Sequence, residues 1–207
     1  MEYTTIRADV QAEYIEKKSR FLAFLRPVES EEAAETFLKE MRRAHPDARH
    51  HVSAWILPDT ERCSDDGEPS GTAGQPVLSV LRRRGFSRMA AVVVRYFGGV
   101  LLGAPGLVRA YGHAASLAAD AAEPVRLRAC TVYAFSCEYA ALSALERLAR
   151  QRGHVRDIAY AESVTFRLSV PKDEAAAFER AVAECSCGRV ALTEQGEVYE
   201  ETSVFAS

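Results

Sequence analysis

The run Met89-Ala-Ala-Val-Val-Val-Arg-Tyr-Phe97 constrains the fold more than any other segment. Three successive valines break the in-out alternation of a half-solvated strand, so this strand needs cover on both faces. Gly98 and Gly99 stop it. Upstream, residues 3–10 and 12–28 read as extended segments broken by the polar stretch Glu16-Lys-Lys-Ser-Arg20, with a strand ending at Pro27. Ser30 precedes Glu31 and Glu32, with Phe37, Leu38 and Met41 at helical spacing; this predicts an N-capped helix that ends near His45, before Pro46. Residues 50–58 form a short β-rich run, and a Gly/Pro/Ser/Thr/Asp loop follows over 63–76. Helices are expected from about Val77 to Arg84 and from about Leu107 to Ala122, the second stopping before Pro124.

From Cys130 the pattern changes to strand, helix, two strands, helix and a last strand interrupted near Gly196. That βαββαβ order is the ferredoxin-like arrangement, with Leu142, Leu145, Leu148 and Ala149 as the apolar face of one helix and Ala176, Phe178 and Val182 of the other. The class is therefore α+β, with domains at 1–127 and 128–207. Composition agrees: 48% hydrophobic and 27% charged residues exclude a disordered chain, and no apolar run is long enough to span a bilayer. A cytoplasmic protein is expected. Five scattered cysteines fit reduced thiols; Cys185-Ser-Cys187 stands without a second pair, so neither a metal nor a cofactor is expected.

Charge is distributed unevenly. Between Glu68 and Asp120 there is no acidic residue, yet Arg82, Arg83, Arg84, Arg88, Arg95 and Arg109 fall there, in a chain of net charge −3. A local arginine excess points to a surface that meets phosphate or carboxylate, because the planar guanidinium binds such groups bidentately. The same region opens with Ser64-Asp-Asp-Gly-Glu-Pro-Ser-Gly-Thr-Ala-Gly74. Its carboxylates, Asp65, Asp66 and Glu68, allow a divalent-cation reading, although the spacing matches no calcium loop. The later half, Ser70 to Gly74, allows an anion-binding nest of backbone N–H groups. The bland reading is an ordered loop capped by its own Asp and Ser side chains, or tied down by an arginine. No hydrolase elbow or zinc motif is present, and adjacent His50 and His51 point to opposite sides of a strand.

Three motifs in fixed order are more specific than their chemistry: Ser64-Asp-Asp-Gly-Glu-Pro-Ser-Gly-Thr-Ala-Gly74, Arg95-Tyr-Phe-Gly-Gly99 and Leu102-Gly…Gly-Leu-Val-Arg-Ala-Tyr111, with Lys18-Ser-Arg-Phe21 upstream. Together they resemble the signature of the IMPACT/YigZ family, over nearly the whole chain. Pro105 departs from the glycine of that pattern and cannot take a positive φ. The resemblance implies an N-terminal domain like the second domain of a small-subunit ribosomal protein, followed by a ferredoxin-like domain similar to part of elongation factor G. It also implies a role in translational control, with nucleic-acid or ribosome binding as the usual proposal for bacterial members, and it supplies no catalytic residue. The expectation is a translation-associated regulator that binds RNA or the ribosome through the six arginines. The signature residues Ser64, Asp65, Asp66, Gly67, Glu68, Pro69, Ser70, Gly71, Thr72, Gly74, Tyr96, Phe97, Gly98 and Gly99 would form the adjoining cleft. The alternatives are a metal-dependent phosphoester hydrolase using Asp65, Asp66 and Glu68, and a protein-interaction module that meets an acidic partner without nucleic acid.

Overall fold

Strands β1 (Glu2–Ile6), β2 (Val10–Glu16) and β3 (Ser19–Pro27) lead into helix α1 (Glu31–Ala44) and strands β4 (His50–Leu57) and β5 (Thr60–Ser64). Helix α2 (Gly74–Arg83), strand β6 (Met89–Tyr96), helix α3 (Gly103–Ala121) and the long strand β7 (Pro124–Cys137) follow. The order closes with α4 (Leu142–Arg152), β8 (His154–Tyr160), β9 (Val164–Pro171), α5 (Ala175–Cys185) and β10 (Thr193–Glu201). These elements come from a computed structural model that describes residues 2–205. The class is α+β, as expected.

Residues Thr4–Val125 form one compact unit, and residues from Arg126 onward form the other together with the segment up to Tyr3. The sequence had assigned that opening segment to the first domain. Strand β1, however, is a member of the sheet that contains β7, a long-range pairing that local periodicity does not announce.

In the first unit the sheet order is β2-β3-β6-β4-β5, entirely antiparallel. The valine strand β6 is central. Its Ala91 and Val93 face a core shared with Phe21, Leu25, Val77, Leu81 and Tyr111. Its Ala90, Val92 and Val94 face Ala34 and Phe37 of α1 and Trp55 of β4. Both faces are therefore covered, and each fully buried Val, Leu or Phe contributes about 1.5–3 kcal/mol. Ser30 caps α1, its hydroxyl accepting the Ala33 N–H at 3.2 Å, with Glu31 and Glu32 in the first turn.

Two helices start earlier than their apolar periodicity suggests. Helix α2 begins at Gly74, and α3 begins at Gly103. Gly103 takes φ +70, so the positive-φ position is Gly103 itself. Pro105 then lies in the first helical turn, where its missing N–H costs no hydrogen bond.

Between β2 and β3 the link is Lys17-Lys18, both in the left-handed region at φ 45 and 67. A two-residue hairpin requires that geometry but favours Asn or Gly for it. The tip is held by Gly98: a Cβ there would lie 2.0 Å from the Lys18 carbonyl carbon, while its N–H donates to the Ser19 hydroxyl at 3.2 Å.

In the second unit β10, β7, β9 and β8 are neighbours in that order, all antiparallel. This is the 4-1-3-2 order of a ferredoxin-like βαββαβ fold. Leu145, Ala149, Phe178 and Val182 of the two helices pack on Phe135, Phe166, Leu168 and Val170. The interruption near Gly196 is a register shift between Glu194 and Glu197, with Gly196 at φ +115.

Candidate nucleic-acid interface and the loop that supports it

The Ser64 to Gly74 loop is built by its own acids. Asp65 accepts three backbone N–H groups, from Gly71 at 2.8 Å and Ala73 at 3.0 Å, and from Gly74 at 2.8 Å. The glycine-rich half of the loop is thus an anion nest, and the anion it holds is the protein's own carboxylate. Because Ala73 offers no side-chain cap, Asp65 serves as the N-terminal cap of α2 from eight positions upstream. Burial alone would raise its pKa, but the three N–H donors outweigh burial and hold it below the ordinary aspartate value.

Asp66, at φ 44, faces the other way. Its carboxylate accepts the His51 backbone N–H at 2.6 Å and pairs with Arg42 at 2.8 Å, while its carbonyl oxygen meets His50 Nδ1 at 2.8 Å. His51 directs Nε2 to the His45 carbonyl oxygen at 3.0 Å. The two histidines serve different partners. Burial lowers the His51 pKa, ahead of the opposing influence of the His45 carbonyl and Asp66.

Glu68 points inward. It and Arg95 form an ion pair at 2.5 Å with side-chain exposures of 5% and 6%, and the same carboxylate oxygen, Oε1, accepts the Tyr111 hydroxyl at 2.8 Å. Burial, then the adjacent Glu68 charge, pushes the Tyr111 hydroxyl pKa far up. The Arg95 guanidinium also reaches Ser19 Oγ at 3.4 Å, so a polar chain runs from the loop through Glu68, Arg95 and Ser19 to Gly98. The three carboxylates therefore do not converge: each is turned to a different set of protein donors. The hydrolase reading, which needs them to share one cation, has no geometric support.

The arginines divide into three kinds. Arg95, taken from the sequence as part of the binding surface, is buried and belongs to the interior; its central-strand position and the Glu68 side chain hold it there. Arg82, Arg84 and Arg88 are paired with Glu61, Asp120 and Glu29 respectively. The Arg82 and Arg84 pairs are largely exposed and contribute little, roughly 0–1 kcal/mol each, whereas the Arg88 side chain is itself mostly covered. Arg83 and Arg109 are exposed and make no ion pair among the described residues. Both line one open groove of about 820 Å³, together with Lys17, His113 and the hydroxyl-bearing Ser79 and Ser116. Glu16 also lines it, with its carboxylate bonded to the Tyr14 hydroxyl at 2.6 Å.

Sequence reasoning did not single out Lys17 or Arg49. Lys17 sat in the polar break between two strands, which was a readable signal. Arg49 gave none: it becomes notable only because its guanidinium lies 5.7 Å from the Phe97 ring centre.

A sheet unit whose glycine-rich loops carry internal acid caps and border a basic groove, followed by a ferredoxin-like unit, defines the class of protein. Residues 17–119 match the Impact N-terminal domain, and residues 135–189 match a domain of unknown function, DUF1949. The chain is 41% identical over 182 residues to the IMPACT family member YigZ of Escherichia coli K12, covering 85% of this chain and 89% of that protein. It is 34% identical over 206 residues to the IMPACT family member YvyE of Bacillus subtilis 168, covering 98% and 95%. A solved structure described as the crystal structure of a hypothetical protein aligns with TM-score 0.65 at 38% identity, covering 92% of this chain and 96% of that one. The chain belongs to the IMPACT family. Membership supports a translation-related regulatory role in general. No helix among the described residues is long and apolar enough to cross a membrane.

Proposed function

We propose that this protein acts in translation by binding RNA, free or in the ribosome, through the basic groove of its first unit. One observation carries the reading: Arg83 and Arg109, the two arginines of the acid-free stretch with no ion pair among the described residues, come from different helices yet line the same groove. Lys17 adds a third cation from a strained hairpin tip that Gly98 holds in place. Strained backbone persists where the surroundings impose it, and it concentrates at functional positions. The groove is open and carries three cationic side chains beside hydroxyls, which suits a phosphate backbone contacted by guanidinium and ammonium groups without base-specific contacts.

The test is pelleting with purified ribosomes and binding to a labelled structured RNA, comparing wild type with Arg83→Glu/Arg109→Glu. Both residues are exposed, so the variant should keep the wild-type melting temperature. Binding that falls by at least tenfold in the variant supports the groove; equal binding by both proteins, or none by wild type at low salt, overturns it. Capture of an acidic protein that survives nuclease treatment would move the groove to the protein-interaction reading.

A further inference from the structure

A second, smaller pocket of about 310 Å³ opens above the buried Glu68–Arg95 pair, and its chemistry differs from that of the basic groove. Its floor is Glu68 and Arg95, its walls include His50 and Phe97, and Arg49 stands at its rim. Both hydrogen bonds to Glu68 fall on Oε1. Oε2 accepts none from the described residues, although the side chain is 95% buried by its 5% exposure. A carboxylate oxygen kept in a pocket with its acceptor capacity unused calls for a donor from outside.

His50 sharpens the pattern. Its Nδ1 faces the Asp66 carbonyl oxygen at 2.8 Å and so carries the ring proton, which leaves Nε2 an acceptor in the neutral ring. That nitrogen lies 3.7 Å from Glu68 Oε1. The pocket lining thus brings the His50 ring nitrogen close to the Glu68 carboxylate, whose second oxygen is the unused acceptor. Above them Phe97 is 39% exposed, with the Arg49 and Arg95 guanidinium carbons 5.7 and 5.6 Å from its ring centre. An accessible aromatic face beside a cation is a platform for a flat ring. Helix α3 starts at this pocket with Gly103 and Ala104 and no side-chain cap, so free backbone N–H groups and Arg49 are available to a phosphate.

We propose that this pocket binds a guanine base, either as a free guanine nucleotide or as an unpaired guanosine of RNA. Among the RNA bases, guanine presents a ring N–H next to an exocyclic amino group on its Watson–Crick edge, the adjacent donors that two acceptors require. Glu68 Oε2 takes one of them, His50 Nε2 the other, Phe97 stacks on the ring, and Arg49 with the start of α3 meets the phosphate. The RNA form of this proposal rests on the RNA-binding function proposed above; the nucleotide form stands without it.

The experiment is calorimetric titration of the full chain with GMP, AMP, CMP and UMP, and in parallel with an all-uridine 12-mer and the same strand carrying one guanosine. GMP should bind at least tenfold tighter than the other three. Phe97→Ala and Arg49→Ala change exposed residues and leave the fold intact; Phe97→Ala should lose roughly tenfold of GMP affinity, the loss of one base–aromatic stack. Glu68→Gln, checked for a retained melting transition, should lower the preference for GMP over AMP. If GMP binds but neither strand does, the pocket takes the free nucleotide and the RNA reading of the groove fails alone. If both strands bind equally, and Arg83→Glu/Arg109→Glu abolishes that binding while no mononucleotide binds, the groove stands and the guanine pocket is wrong. Equal affinity for all four nucleotides, or full GMP affinity in Phe97→Ala, also overturns the proposal.

Discussion

The two arginine environments of the first unit, the interior around Arg95 and the groove around Arg83 and Arg109, show how little a residue's charge says about its use. Arg95 lies on the central strand, bonded to Glu68 and shielded by Phe21 and Phe97. Arg83 and Arg109 lie exposed on helix surfaces and form no ion pair among the described residues. All three come from one acid-free stretch. The interior arginine met its acid from across the loop, 27 residues away; the groove arginines did not. Burial and partner separate the scaffold arginine from the exposed groove arginines, and a charge count along the chain contains neither.

The largest effect expected from this contrast is in the interior. Arg95→Ala leaves Glu68 as an uncompensated buried charge, so the unfolding free energy should fall by about 3–5 kcal/mol, read from the urea midpoint. A loss below about 1 kcal/mol would place Arg95 in the same category as the surface arginines. Gly98→Ala comes next. Its Cβ would meet the Lys18 backbone at 2.0 Å, and backbone cannot yield as a side chain end can, so a cost of about 1–3 kcal/mol or more is expected. A folded, fully stable alanine variant would show that the Lys17-Lys18 tip is not held there.

Asp65→Ala should cost about 1–2 kcal/mol at neutral pH, because it removes a cap and leaves three N–H groups without their acceptor. The folded-state pKa of Asp65 is depressed, so its contribution is fully present above the ordinary aspartate value of 3.8 and is lost as pH falls through the lower folded value. The stability gap between wild type and variant should therefore close below about pH 4, and a gap constant down to pH 2 would exclude the charged cap. Smallest are Arg82→Ala and Arg84→Ala, each within about 1 kcal/mol of wild type in thermal or urea melts.

Much of the fold was legible. The valine run fixed a doubly covered central strand, Ser30 with its two glutamates fixed the start of α1, and the βαββαβ order of the second unit followed from periodicity alone. The missed features depend on contacts far apart in sequence. Helix α2 starts at Gly74 because Asp65, eight or nine residues earlier, supplies its cap. β5 is a strand because β4 pairs with it from Ser53 to Leu57, and β1 belongs to a sheet whose other strands begin beyond residue 120. For the candidate site, the sequence pointed to one arginine-bearing stretch and one loop but not to the division of labour within them. Asp65, Asp66 and Glu68 are near neighbours in the chain, and only folding turns them toward α2, the His50–His51 strand and Arg95.

The central claim is that Arg83 and Arg109 are interface while Arg82 and Arg84 are mostly charge-paired surface. The direct measurement is the salt dependence of binding to a single-stranded RNA for wild type, Arg83→Ala/Arg109→Ala and Arg82→Ala/Arg84→Ala. Each phosphate contact contributes about 0.7 to the slope of log affinity against log salt on a single strand, so the groove variant should lose about 1.4 in slope and the paired-surface variant much less. An unchanged slope in the groove variant, or a larger loss in the Arg82/Arg84 variant, would contradict the account.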